Sequence, residues 1–250
     1  MIEKSQRAAS KIAGVTGLLA VAIVVFGNYV LLSPLIVPRD AAETARHIMA
    51  HQTQARLALI CFLLYSANVV VLLAALYVIL KPVNRILALI GALFRLVFAV
   101  LWLLATLNLL GALRLLGTAP YLRVFQPDHV QTLARLQIAA NFDNYYVGLP
   151  FFGLAATICA YLWLRSGYIP KSLAVFGIIS SAWCVVCAFV FLVFPDFNKV
   201  VNDYIFDTPM AIFELVVSLW LLFKGLQPSR TPTKSDRVAN LHHHTFPIFL

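Results

Sequence analysis

Long apolar stretches, separated by more polar connections, dominate the chain. Six of them carry few charges: residues 12–32, 57–80, 86–113, 141–164, 172–194 and 204–223. Because an α-helix rises about 1.5 Å per residue, about 20 residues cross a hydrocarbon core about 30 Å thick. The stretches lack the alternation of barrel strands, and backbone groups in lipid must be satisfied within their own segment. The pattern predicts an all-α, polytopic membrane protein: a six-helix transmembrane domain over residues 1–226.

Two polar segments interrupt or follow these spans. Residues 41–56 form an amphipathic pattern preceded by Asp40, a residue type that caps helix N-termini. The segment is too polar to enter lipid, so it is predicted to be a surface helix between the first and second spans. From residue 227 the chain is rich in Pro, Ser, Thr and charge. Residues 227–250 are therefore predicted to be a disordered cytoplasmic tail.

Composition supports the membrane interpretation. Apolar residues make up 62% of the chain and charged residues 12%, whereas soluble domains average about 45–50% and about 25%. A soluble fold of this size cannot bury so many apolar side chains. All four cysteines fall within spans, and we expect them to serve packing. They are Cys61, Cys159, Cys184 and Cys187.

The distribution of Lys and Arg predicts the orientation. If the N-terminus is cytoplasmic, eleven of the nineteen basic residues fall inside, seven fall outside, and Arg95 lies within a span. Cytoplasmic loops carry the excess of basic residues, so both termini are predicted to be cytoplasmic. The formal net charge of +9 then follows from topology, and no nucleic-acid partner is needed to explain it.

Several short motifs follow one another along the chain. They are KPVNR at 81–85, FRLV at 94–97, RSGYIP at 165–170, and LWLLFKG at 219–225 after Glu214. In these motifs the chain resembles a bacterial membrane family catalogued as domain of unknown function 4386, from about Ala8 to Leu226. The resemblance implies a compact six-helix protein of the bacterial inner membrane. It implies no particular activity and no cofactor.

Arg95, Asp143 and Glu214 are ionisable residues that lie within the spans or at their edges. A charge near the bilayer centre costs ~2.5–3.5 kcal/mol even on mild scales. Arg95 follows Arg85 by ten residues and Glu214 precedes Lys224 by ten, so both lie about 15 Å from the inner interface. Equal depth predicts an ion pair. The pair is either a tie that fixes helix packing or part of a ligand site.

Other polar residues extend the candidate ligand-binding set. Ser218 lies one helical turn from Glu214, and Asn68 is placed in the same central region. Asp143 and Asn108 lie nearer the outer interface, where they are predicted to line a wet vestibule. Its other candidate members are Asn28, Tyr29, Asn141, Asn144, Tyr145 and Tyr146.

A weak metal-site candidate lies in the surface segment. Glu43, His47 and His51 are spaced four residues apart, so one helix face could offer all three to zinc. The order differs from the H-E-x-x-H motif, and solvated polar side chains are common on such helices. We therefore predict no metal site, and no nucleotide-binding or nucleophile motif is present in the sequence.

Three functional hypotheses remain open. The first is a protein that binds or transports a small or lipid-like ligand at a polar site within the bundle, as a monomer or a homo-oligomer. The second is an intramembrane enzyme acting on a lipid-like substrate, with Glu214 as general acid. The third is a structural or regulatory membrane subunit whose buried polar groups specify packing.

Overall fold

The computed structural model describes residues 2–37, 40–117, 124–194, 197, 201 and 203–227. From residue 228 onward, the predicted tail lies outside the described residues. Within the described ranges the secondary structure is entirely helical. The α-helices are α1 (Lys4–Val25), α2 (Ala41–Ala50), α3 (Gln52–Leu80), α4 (Arg85–Leu115), α5 (Pro127–Ser166), α6 (Lys171–Val193), α7 (Asp203–Phe206) and α8 (Thr208–Phe223).

These helices confirm the predicted fold class. Five helical segments are long and apolar enough to cross a membrane: α1 with its continuation to Leu35, α3, α4, α5 and α6. The sixth predicted span is divided into the four-residue α7 and the 16-residue apolar α8. At about 1.5 Å per residue, α8 is about 24 Å long, slightly less than the thickness of a typical hydrocarbon core.

The six long helices form a closed ring in chain order. Helix α3 packs between α1 and α4, α5 packs between α4 and α6, and α8 closes the ring by contacting both α6 and α1. The connections α3–α4 and α5–α6 are only four residues long, so these helices are antiparallel neighbours. A ring of this kind directs one face of each helix toward a common interior.

Both ends of the described chain meet at one end of the ring, which we call the tail end. Gln6 Nε2 donates hydrogen bonds to the Ile79 carbonyl at 3.1 Å and to the Tyr168 hydroxyl at 3.3 Å. The backbone N–H of Gln227 donates to the Tyr168 carbonyl at 2.9 Å. The opposite end carries α2 and is called the α2 end.

Helices α1 and α8 approach closely near the tail end because two glycines lie between them. A Cβ atom added to Gly14 would lie 2.7 Å from the backbone nitrogen of Leu222, and one added to Gly17 would lie 2.0 Å from Ser218 Oγ. The Ser10 hydroxyl donates to the Leu221 carbonyl at 3.2 Å. Small residues at helix interfaces in membranes allow such backbone contact.

The surface segment is helical, as predicted, but it is shorter than 41–56. The Asp40 carboxylate accepts a hydrogen bond from the Glu43 N–H at 2.8 Å and caps α2. The helix ends at Ala50, and His51 has φ −122° and ψ 44°, outside the helical region. Residues 52–56 belong to α3 instead. Ala45 and Ile48 are buried in the cluster that joins α2 to α4 and α5.

Helix α5 begins fourteen residues before the predicted start of the fourth span. Pro127 occupies its first turn, where a missing N–H carries no penalty, and Asp128 suits the positive helix end. Ala134 and Ile138, one turn apart, are buried against α2 and the end of α4. Residues 127–140 lie in the polar connection between the third and fourth predicted spans, and this contact stabilises them as a helix.

Irregular backbone interrupts the ring at the α2 end. Helix α1 continues as a π-helix over Phe26–Leu32 and a 3-10 turn over Ser33–Leu35. Asp207 separates α7 from α8. Helix α5 continues through Pro150, which cannot donate the usual backbone hydrogen bond.

Candidate functional site

A cavity of about 120 Å³ lies inside the ring. Side chains of α1, α3, α4, α5 and α8 line it, together with Asp207. Its walls are mostly apolar, including Val24, Leu72 and Leu149, while charged groups lie at its two ends. A water molecule occupies about 30 Å³ in the liquid, so the cavity has room for a few waters or a small polar group.

Arg95 and Glu214 form the predicted ion pair at the end of the cavity nearer the tail end. Arg95 Nη2 lies 2.6 Å from Glu214 Oε1, and Nη1 lies 3.4 Å from Oε2, so the contact is bidentate. The side chain of Arg95 is 3% exposed and that of Glu214 is 18% exposed. Because the pair joins α4 to α8, it links helices on opposite sides of the ring.

Arg95 has further interactions that hold it in place. Its Cζ atom lies 5.0 Å from the centre of the Phe152 ring, within the range of a cation–π interaction. Among the described residues, no acceptor faces its buried Nε atom. Buried donors are normally paired, so Arg95 retains the capacity to donate one more hydrogen bond.

Tyr145 and Asp207 form a second polar contact, toward the α2 end. The Tyr145 hydroxyl donates a hydrogen bond to Asp207 Oδ2, and both residues line the cavity. Tyr145 is one of the predicted vestibule residues, whereas Asp207 lies near the start of the sixth predicted span. The sequence contains one indication that Asp207 faces the cavity. Asp207 precedes Glu214 by seven residues, which places both carboxylates on one helix face.

An aromatic cluster supports the wall formed by α3, α4 and α5. The Tyr65 ring lies 4.7 Å from Trp102 between centroids, and Phe152 stacks on Phe98 at the same separation. Trp102 also meets the ring of Tyr145 edge-on at 6.1 Å. Tyr65, Tyr145 and Phe152 line the cavity directly. Such packing fixes the rings in place, because aromatic pairs gain energy from defined geometry.

Two predicted ligand-binding residues instead donate hydrogen bonds to backbone carbonyl groups. Asn68 Nδ2 donates to the Thr16 carbonyl at 2.8 Å and ties α3 to α1. The Ser218 hydroxyl donates to the carbonyl of Glu214, one turn earlier, at 2.7 Å and packs against Gly17. Neither residue lines the cavity.

The structure brings only some of the predicted vestibule residues together, and the rings of Tyr145 and Tyr146 lie 5.6 Å apart between centroids. Asn141 is buried and donates to the Ala105 carbonyl at 2.8 Å, whereas Asn144 donates to Ala140 within its own helix. Asp143 is exposed on the surface of α5, and Asn108 is half-buried on α4 away from the cavity lining. Tyr145 is the vestibule candidate that reaches the cavity.

The candidate metal ligands interact with one another and with Arg46. Glu43 pairs with Arg46 and with His47, whose Nε2 lies 3.0 Å from the carboxylate. His51 sits at the end of α2, and its Nδ1 lies 3.1 Å from the His47 carbonyl. The helix break therefore removes His51 from the shared face. Across the described ranges, no three His, Cys, Asp or Glu side chains are grouped to hold a metal ion.

The fold and its buried charge pair define an integral, multi-pass membrane protein of the all-α class. A family model described as Domain of unknown function (DUF4386) matches residues 12–225, and the chain belongs to this family. The resemblance indicated by the sequence motifs is thereby confirmed. No curated protein and no solved structure matches the chain.

Proposed function

We propose that this protein binds or transports a small or lipid-like ligand in the central cavity. The observation that carries the proposal is a space with an ion pair at one end, a tyrosine–carboxylate contact at the other, and apolar walls between them. Ligand sites usually combine an apolar lining with a few fixed polar groups. The proposed setting is the bacterial inner membrane, with both termini in the cytoplasm.

The residues that border the cavity support entry of a ligand from the bilayer. Near the tail end, Gly14 and Gly17 bring α1 and α8 into contact. Farther along these helices, Val21 of α1 and Ala211 of α8 line the cavity instead. Ala211 is exposed on the outer surface of the ring, so the cavity lining reaches a surface that lipid covers. A ligand with an apolar tail fits this arrangement.

The irregular helices favour a site that changes shape. Transporters often build their sites from interrupted helices, and π-helical turns are enriched at functional positions. Here the π-helix Phe26–Leu32 follows the part of α1 that lines the cavity, and the break at Asp207 lies on the cavity itself. These features favour transport or ligand exchange over a purely structural role.

The bidentate ion pair gives less support to the enzyme hypothesis. A general acid must give its proton to the substrate, whereas Arg95 engages both carboxylate oxygens of Glu214. A purely architectural role accounts for the ion pair alone. It gives no reason for the cavity beside the pair.

Native mass spectrometry of the purified protein tests the proposal with two matched variants. Ala20 lines the cavity, whereas Ala22 on the same helix is exposed on the outer surface. Ala20→Leu is expected to remove a bound small molecule that wild type and Ala22→Leu retain. Equal bound mass in all three folded proteins, or none in wild type, would contradict the proposal. Thermal unfolding of each variant serves as the folding control.

A further inference from the structure

We propose that Glu214 occupies the place of an anionic ligand head on Arg95, and that binding such a ligand transfers one proton to Glu214. The inference rests on the proposed function and specifies its ligand class and regulation. The ligand is a monoanionic amphiphile whose head binds the guanidinium. Its tail lies along the apolar wall toward Ala211. In the ligand-free protein the carboxyl group of Glu214 takes the place of the head.

The two partners differ in how firmly they are held. Arg95 is almost completely buried and lies over the Phe152 ring, so moving it would break a second interaction. Glu214 is six times as exposed and lies on α8, which follows the break at Asp207. The carboxylate is therefore the partner that can leave, and Arg95 is the fixed half of the site.

Charge balance connects ligand binding to a proton. A guanidinium binds carboxylate, phosphate and sulfonate oxygens by the same bidentate geometry. If an anion entered while Glu214 stayed ionised, the cavity would gain a negative charge in a medium of low polarity, which is costly. One proton taken up by Glu214 for each bound monoanion preserves the net charge. The carboxylate becomes a neutral carboxylic acid, and Arg95 exchanges one anion for another.

Other titratable groups near the ion pair compete with Glu214 for the proton, and they determine which variants the test needs. Tyr65 of α3 and Tyr145 of α5 line the same cavity, and Cys159 of α5 lies against Arg95 on its other side. Asp207 is the other carboxylate in the cavity lining. From α1 the lining contains glycine, alanine and valine, which do not titrate. Asp207 is therefore the main competitor for the proton.

Decanesulfonate binding to the protein in nanodiscs tests the inference, because a sulfonate stays ionised across the pH range. Its affinity is expected to rise about tenfold per pH unit as the pH falls from about 8 to about 6, with about one proton taken up per molecule bound. Decanol, which has no charge, should show neither effect. Decylamine, a cation, should not compete for the site.

Substitutions assign the proton and the anion site. Glu214→Gln should bind decanesulfonate at about pH 8 at least as tightly as wild type does at about pH 6, without proton uptake. Arg95→Gln combined with Glu214→Gln removes both charges, and it should fold but lose sulfonate binding. Proton uptake that persists in Glu214→Gln and disappears in Asp207→Asn would assign the proton to Asp207 and overturn the inference.

The outcomes separate this inference from the proposed function. Sulfonate binding that Ala20→Leu removes, but without pH dependence or proton uptake, would overturn the proton exchange and leave the cavity as a ligand site. The same holds if decanesulfonate does not bind while Ala20→Leu still removes the co-purified molecule. If Ala20→Leu and Ala22→Leu behave alike in both experiments, the ligand site itself is wrong.

Discussion

Arg95 carries its charge where water cannot solvate it, and Glu214 supplies the nearest counter-charge. Removing one partner leaves the other as a buried charge without compensation. Replacing both with apolar residues removes the desolvation cost together with the attraction, so the net change is small. The stability of the pair is therefore not the sum of two independent contributions.

A double-mutant cycle measures this dependence. Arg95→Leu and Glu214→Leu are each expected to lower the free energy of unfolding by ~3–5 kcal/mol, and the double substitution by much less. Reversible denaturation in a defined micelle gives these values. Leu215 on α8, outside the ion pair, offers a control as Leu215→Met. A double variant as unstable as the two single variants combined would show that the residues do not interact.

The ion pair was predictable because charges stand out in apolar spans, and equal distances from basic anchors gave equal depths. The Tyr145–Asp207 contact was not predicted, because Asp207 lies at a span edge where acids often face water. The interactions of Asn68 and Ser218 also escaped prediction, since a sequence does not show which backbone carbonyl an amide or hydroxyl reaches. Which polar residues reach the cavity depends on helix rotation.

At the scale of elements, the contact between α1 and α8 depends on glycine. The added Cβ at Gly14 would lie 2.7 Å from backbone nitrogen, and a backbone atom inside a helix cannot move aside. Gly91, in α4, differs because its nearest neighbour is a side-chain atom, the Cγ2 methyl group of Ile158 at 3.3 Å. The two glycines therefore provide a matched comparison.

Gly14→Ala is expected to destabilise the protein by ~1–3 kcal/mol through overpacking. Gly91→Ala should be nearly neutral, because a gain of about 1 kcal/mol in helix propensity offsets a small shift of Ile158. Denaturation midpoints of the two variants in the same micelle provide the comparison. If Gly14→Ala is as stable as Gly91→Ala, the α1–α8 contact is looser than described.

Element types were easier to predict than element boundaries. Span length and apolarity identified the helices, and Asp40 correctly marked the start of α2. The helical extension of α5 was not predicted, because its apolar residues Ala134 and Ile138 contact α2 and do not face lipid. Similarly, the break at His51 follows from packing α2 across the end of the bundle, which local sequence does not specify.

For the whole molecule, the ring is tightly packed at the tail end and contains its cavity farther toward the α2 end. A cluster that includes Ile79, Leu162 and Trp163 fills the interior near the tail end. Gln6 and Gln227 connect both ends of the described chain to Tyr168 there. If both termini are cytoplasmic, the ion pair forms the floor of a cavity whose irregular helices lie toward the outside.

Cysteine labelling in intact bacterial cells tests that orientation. Ser5, Gln227 and Met49 are all exposed, the first two at the tail end and the third on α2. In a background without the four native cysteines, Ser5→Cys and Gln227→Cys should resist a membrane-impermeant thiol reagent until the cells are opened. Met49→Cys should react in intact cells, because the distribution of Lys and Arg predicts that the tail end lies inside. The reverse labelling pattern would invert the topology. Labelling of Ser5→Cys alone would instead show that the chain crosses the membrane an odd number of times, with α8 failing to span it or another segment crossing.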